Sequence, residues 1–233
     1  MGTVKTWLFD LDNTLHDASK GIFQAIDHGM LKAVQSATGL CEQRADKLRI
    51  EYWRKYGATV IGMEKHHNTN AKEFLRSSHD FNIASMVHAE PQVAHKISRL
   101  PGRKIVLTNA PEDYARQVLD HLKLLPHFDG IWAIEHMRLQ GRLRPKPSIG
   151  LMRQIIARLK TPPSNIALVE DTLKNLKSAH KIGMKTVHIA HPMTPFAISD
   201  KVRPSYVDVR VKRLGDLINV PMLWRTQHIQ DHA

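Results

Sequence analysis

Cysteine is almost missing from this 233-residue chain. Cys41 stands alone, so no internal disulfide can form and a disulfide-stapled scaffold is excluded. No recognisable protease signature surrounds it, and it reads as a small core or surface thiol. Long apolar runs are missing too. Nothing approaches the ~20 apolar residues that span a bilayer, and the N-terminal MGTVKTWLFDLDNTL places acids where a signal peptide needs its apolar run. A soluble, cytoplasmic protein with no membrane partner is expected. Glycine and proline, 12 of each, are too sparse for collagen-like or low-complexity sequence. The chain also lacks a Gly-x-Gly-x-x-Gly fingerprint, a P-loop and a Gly-x-Ser-x-Gly elbow. Dinucleotide oxidoreduction, P-loop NTP hydrolysis and serine-hydrolase chemistry therefore have no support.

Acids are outnumbered: 22 Asp and Glu face 34 Lys and Arg, a formal charge of +12. Such a balance favours anionic partners, whether nucleic acid, a phosphorylated metabolite or a membrane surface. The basic residues are spread through the chain without a basic tail, zinc-finger spacing or RNP motif, which makes nucleic acid the less favoured partner. Lys201, Arg203, Arg210, Lys212 and Arg213 form a basic stretch better read as a solvated edge.

Strand-sized apolar runs fall at 4–9, 104–108, 131–134, 166–170, 186–189 and 206–209. Helical periodicity appears between them at 113–124 and 147–159. Alternating strands and helices imply an α/β fold with a doubly wound parallel sheet. From about 16 to 95 the alternation stops. Ile22, Ile26, Met30 and Val34 recur four apart, as do Leu48, Tyr52 and Tyr56. The expected organisation is an α/β core of residues 1–15 and 96–233 with an all-helical insertion of residues 16–95.

The first run ends in Asp10-Leu11-Asp12-Asn13-Thr14, at the strand end where open α/β sheets bind ligands. Paired carboxylates there can divide nucleophilic from proton-transfer work, although a lone Asp-x-Asp also fits a solvated turn. Thr108-Asn109 supplies a hydroxyl and N–H donors at another strand end, suited to phosphate oxygens or to a helix cap. Lys146 lies between prolines, which restrict the backbone that aims it. Glu170-Asp171 then brings two more acids to a strand end. Two unit charges 4 Å apart repel by about 4 kcal/mol at an effective dielectric near 20. A divalent cation relieves that repulsion, and hard oxygen donors favour Mg²⁺.

The ordered set Asp10-x-Asp12-x-Thr14, Thr108, Lys146 and Glu170-Asp171 resembles the haloacid dehalogenase superfamily of phosphohydrolases, over nearly the whole chain. The resemblance implies a doubly wound core with a mobile helical cap after the first strand. It implies that Asp10 is the nucleophile and Asp12 the proton donor and acceptor. Thr108, Lys146 and the Asn109 backbone N–H would bind phosphate. Mg²⁺ would be held by Asp10, the Asp12 carbonyl and Asp171, with Glu170 assisting. The dehalogenating branch lacks the second acid of the first motif, so Asp12 points to phosphate chemistry.

Within that superfamily, 7–15, Tyr56-Gly57-Ala58-Thr59, Gly62 with His66-His67, Thr108-Asn109-Ala110, and Val169-Glu170-Asp171 with Asn175-Leu176 are similar to the pyrimidine 5′-nucleotidase group with a helical cap. His16 stands where many members carry Tyr. Tyr56, His66 and His67 become the expected substrate contacts, and a small phosphorylated metabolite, a nucleotide, the expected partner. Paired histidines on a cap also serve structural hydrogen bonds, and Tyr52, Trp53 and Tyr56 are spaced to fill a core as readily as to stack on a base. The alternatives are a sugar-phosphate or other small-metabolite phosphatase or phosphomutase, and an inactive basic nucleic-acid-binding protein.

Overall fold

The structure, a computed structural model, describes residues 4–191 and 203–220. Six parallel strands form one sheet in the order β3-β2-β1-β6-β7-β8, from β1 (Thr6–Phe9), β2 (Arg103–Leu107), β3 (Gly130–Trp132), β6 (Ile166–Glu170), β7 (Lys185–Ile189) and β8 (Val209–Val211). β1 is central, pairing in register with β2 (Thr6↔Arg103) and with β6 (Thr6↔Ile166). All four of its residues are buried, as a parallel strand covered on both faces requires.

Successive side chains alternate between two cores. Trp7, Phe9, Val106 and Val169 pack on one face with α6 (Glu112–His121) and α5 (Val93–Ser98). Leu8, Ile105, Leu107 and Leu168 pack on the other with α7 (Ile149–Leu159) and α8 (Leu173–His180). The helical stripes expected at 113–124 and 147–159 supply these faces. Between β1 and β2 come α1 (Ile22–Thr38), α2 (Glu42–Tyr56), α3 (Thr59–His67), α4 (Ala71–Ser78) and α5, with no strand. The first four surround a third apolar cluster that includes Val34, Tyr52, Val60, Met63 and Phe74. Helices α2 and α3 touch so closely that a Cβ on Gly62 would run into the Tyr52 ring, which explains glycine there.

Two strand expectations need correction. The run at 206–209 yields a strand only from Val209, because Val207 N bonds to Pro204 O in a turn and the Asp208 carboxylate takes the Thr186 N–H. The run at 131–134 ends as a strand at Trp132, and Ile134 begins a 3₁₀ turn that sends its side chain to the third cluster. A small hairpin of β4 (Arg138–Leu139) and β5 (Arg142–Leu143) was not expected; its strands are too short for periodicity to reveal. Leu143 also joins the third cluster, and Arg138 pairs with Glu64 of α3 at 2.8 Å. Of the basic stretch, Lys201 lies outside the described residues, while Arg203 donates to the Asp208 carbonyl and Arg213 pairs with Asp216. Among the described residues no helix is long and apolar enough to cross a membrane.

Candidate active site

Asp10 leaves the end of β1, its N–H bonded to the Val169 carbonyl of β6. The chain then curls tightly. Asn13 adopts φ 58, a left-handed conformation that Asn tolerates, and its Oδ1 accepts the Ala18 N–H at 3.1 Å. This curl returns His16 beside Asp12, with Nε2 donating to Oδ1 at 3.0 Å. Tyr114, in the first turns of α6, donates its hydroxyl to the same oxygen at 2.6 Å.

Thr108 follows β2 and is buried. Asn109 grips the backbone of Lys146 on both sides, Nδ2 donating to the carbonyl at 3.0 Å and Oδ1 accepting from the N–H at 2.9 Å. The Lys146 ammonium, 2% exposed as a residue, donates to Asp10 Oδ1 at 2.6 Å and to Glu170 Oε2 at 2.7 Å. Glu170 is held in turn by Asn175 Nδ2 at 2.9 Å and by Thr172 N at 3.1 Å, both from the start of α8. Asp171, the next residue, is also buried, and its carbonyl faces His188 Nε2 at 3.1 Å.

Carboxylate oxygens of Asp10, Glu170 and Asp171 lie within 4.8 Å of one another. Burial, then the Glu170 charge, pushes Asp10 up to about 8 against the pull of Lys146. Burial likewise pushes Glu170 up to about 7, with Lys146 opposing and Asp171 adding to the rise. Burial alone would lower Lys146, but Asp10 and Glu170 outweigh it and hold the ammonium above its ordinary value. One ammonium is too little charge for three buried carboxylates. The excess of hard oxygen donors fits a divalent cation, so this cluster could bind a metal.

Asp12 is the opposite case. Burial pushes it up, yet the hydrogen bond and charge of His16 and the hydrogen bond of Tyr114 bring it below the usual carboxylate range. Burial followed by Asp12 drives Tyr114 far above its ordinary value, so the phenol stays a donor. His79, pushed down to about 4 by burial, packs its ring 5.5 Å from that of Tyr114.

All these groups open into one cleft of about 420 Å³ between the sheet edge and α1–α4. Asp10, Asp12, Thr108, Asn109, Lys146, Glu170 and Asp171 meet on its floor. Phe23, Ile26, Met30, Trp53 and Val60 form an apolar wall, and Arg49, Asp27 and His79 add polar points. Tyr56, His66 and His67 are not brought to it. Tyr56 Oη shares a hydrogen bond with His66 Nε2 at 2.7 Å, and Tyr52 Oη with His67 Nε2 at 3.0 Å, tying α2 to α3 away from the cleft. Trp53 and Tyr52 divide the roles left open for the aromatic trio: Tyr52 is buried in the helical cluster, and Trp53 is 43% exposed at the cleft. Sequence reasoning missed Tyr114, His79 and Arg49. Tyr114 was hidden because its partner Asp12 lies 102 positions away, and no motif marks His79 or Arg49.

The fold and this strand-end site define a haloacid dehalogenase-like hydrolase, and the chain belongs to that family, whose sequence model matches residues 7–189. Among curated proteins it is 22% identical over 200 residues to Phosphate metabolism protein 8 of Saccharomyces cerevisiae, over 80% of this chain. The match spans 61% of that relative's length. A HAD phosphatase from Thermococcus onnurineus superposes with a TM-score of 0.64 at 18% identity, over 96% of this chain and 100% of that one. An L-2-haloacid dehalogenase from Xanthobacter autotrophicus, with chloropropionic acid covalently bound, superposes at 0.57 and 15% identity, over 94% and 99%. Phosphatase and dehalogenase share this fold, so the fold alone does not select the reaction.

Proposed function

We propose that the protein is a Mg²⁺-dependent phosphomonoesterase that works through an aspartyl-phosphate on Asp10, with pyrimidine nucleoside 5′-monophosphates as substrates. The observation that carries this reading is the contrast between two carboxylates two residues apart. Asp10 is held by Lys146, and Asp12 by Tyr114 and His16. Their partners suit different tasks: Asp10 lies beside the ammonium that would hold the phosphoryl group, as a nucleophile must, and Asp12 keeps one oxygen clear of hydrogen bonds among the described residues, as a proton carrier must. Asp12 also supports phosphate over halide displacement, since an alkoxide leaving group takes a proton and a halide does not.

Asp12 is ionised in the free protein and would take up a proton from solvent as the negatively charged phosphate settles beside it. In the first half-reaction an Asp10 oxygen attacks phosphorus, the ester P–O bond breaks, and Asp12 gives that proton to the departing alkoxide. In the second, water gives a proton to Asp12 as its oxygen attacks phosphorus, and the bond to Asp10 breaks to release phosphate. Lys146 and the Thr108 hydroxyl hold the phosphoryl oxygens. Both Glu170 oxygens already accept protein hydrogen bonds, which supports a role as anchor of Lys146. Asp10, Asp171 and the Asp12 carbonyl would hold Mg²⁺, whose positive charge stabilises the transferring phosphoryl group.

Helices α1–α4, within the insertion drawn at residues 16–95, act as the cap over this floor. Their apolar wall with Trp53 suits a flat, partly apolar leaving portion better than a sugar, which favours a nucleotide over a sugar phosphate. A panel of phosphate esters assayed with Mg²⁺ tests the reading. UMP and CMP are expected to exceed AMP, GMP and sugar phosphates in kcat/KM. Asp10→Asn is expected to remove turnover with an unchanged circular dichroism spectrum, and wild type to take up beryllofluoride on Asp10. A trapped adduct on any other residue overturns the mechanism. Better hydrolysis of sugar phosphates overturns the substrate class alone.

A further inference from the structure

Asp12 is gripped at one oxygen only. Tyr114 Oη and His16 Nε2 both donate to Oδ1, at 2.6 and 3.0 Å, while Oδ2 has no hydrogen-bond partner among the described residues. The two donors come from unrelated places. His16 is returned by the Asn13 curl, and Tyr114 is brought from α6, 102 positions away. Both are buried, whereas the Asp12 side chain keeps 18% exposure and lines the cleft. The Tyr114 ring packs against His79, at 5.5 Å, and Phe81, at 6.2 Å.

Two hydrogen bonds from different directions fix a carboxylate in rotation as well as position. An oxygen that already accepts both is a poor site for a further proton, so exchange with substrate falls to the other. We infer that Tyr114 and His16 are positioning residues that lock Asp12 through Oδ1 and present Oδ2 as the single oxygen that passes a proton to the leaving alkoxide and takes one from water. This inference rests on the phosphomonoesterase reading and adds two residues that touch neither phosphate nor metal.

The test uses Tyr114→Phe, which removes one oxygen and keeps the ring. On an alkyl or nucleoside phosphate, kcat/KM should fall about 10–100-fold, because the alkoxide needs its proton. On p-nitrophenyl phosphate, whose leaving group departs without one, the fall should stay within about threefold. In an Asp12→Asn background, Tyr114→Phe should cost less than about twofold more, because the group it positions is already gone. His16→Gln, which keeps a donor, should retain more alkyl-ester activity than His16→Ala, and this pair carries the same comparison if Tyr114→Phe does not fold. Equal losses on every ester, or a full additional loss in the Asp12→Asn background, overturn the inference. Beryllofluoride uptake, followed by ¹⁹F NMR, separates the two levels. Uptake by both wild type and Tyr114→Phe with equal ester losses sinks the positioning role alone. A wild type that neither hydrolyses esters nor takes up the adduct sinks the phosphomonoesterase reading and this inference with it.

Discussion

The amide of Asn109 closes a two-point clamp on the backbone of Lys146, 37 residues away, and so fixes the root of the side chain whose ammonium bridges Asp10 and Glu170. Asn109→Ala keeps the backbone N–H at 109 but opens the clamp. Activity should fall about 10–100-fold, since displacement of a positioned group by about 1 Å has that effect. Stability should fall by about 1–2 kcal/mol for two lost hydrogen bonds. Steady-state kinetics and urea denaturation on one preparation measure both.

Removal of divalent cations should abolish turnover, and Mg²⁺ should restore it. Mg²⁺ without substrate should also raise the melting temperature, because a ligand that binds only the folded state stabilises it by mass action. Asp171→Ala removes one of the three clustered carboxylates. It should raise the Mg²⁺ concentration for half-maximal activity at least about tenfold, the loss that one charged ligand at roughly 1.4 kcal/mol or more implies. Full activity in excess chelator would refute the metal assignment.

Trp53→Ala should lower kcat/KM on the best nucleotide by about tenfold or more, on the scale of one lost stacking contact. The same change should leave p-nitrophenyl phosphate nearly untouched. Tyr56→Phe, His66→Ala and His67→Ala should leave the ratio of the two activities unchanged, because these side chains bond within the α2–α3 pair. Kinetics on both esters for all four variants separate cleft from scaffold.

His79 gives the fold a dependence on acid. Burial pushes it down to about 4 from an ordinary 6.5, so between those values the unfolded chain takes up a proton that the folded protein refuses. Stability is therefore fully present above about pH 6.5 and is lost as the pH falls toward 4, by an amount on the order of 3 kcal/mol. His79→Gln should show a shallower loss across that window. Urea midpoints at half-unit pH steps measure it.

The strand ends were legible because they carry two signals at once. Trp7-Leu8-Phe9 and Ile166 to Val169 read as buried strands, and acids at their C-terminal ends stand out against such apolar runs. Helical character was equally plain where Ile22, Ile26, Met30 and Val34, and then Leu48, Tyr52 and Tyr56, recur four apart. What sequence could not reveal was which polar side chain meets which across the chain. Tyr114 sits next to the apolar stripe of α6 and reads as one more core ring, yet its hydroxyl reaches Asp12. His66-His67 drew attention through the family resemblance, but α3 ends where both rings turn to the tyrosines of α2. Trp53, one position beyond the buried Tyr52, is rotated about 100° around the helix and so reaches the cleft.

The register of β1 has a consequence for synthesis. Its neighbours are β2 and β6, so the nearer pairing partner of Thr6 is Arg103 and the other is Ile166. Translation adds ~5–20 residues per second, so Trp7, Leu8 and Phe9 wait for several seconds as an apolar strand with no mate. Meanwhile α1–α4 can collapse on their own apolar cluster, which needs only neighbouring segments of chain apart from Ile134 and Leu143. The nascent chain thus passes through a stage with a folded helical knot and an open, sticky strand, the condition in which chaperones bind and aggregates seed. Codon changes or substitutions that delay β2 should lower the yield of protein from cells while leaving the specific activity of the molecules that do fold unaltered.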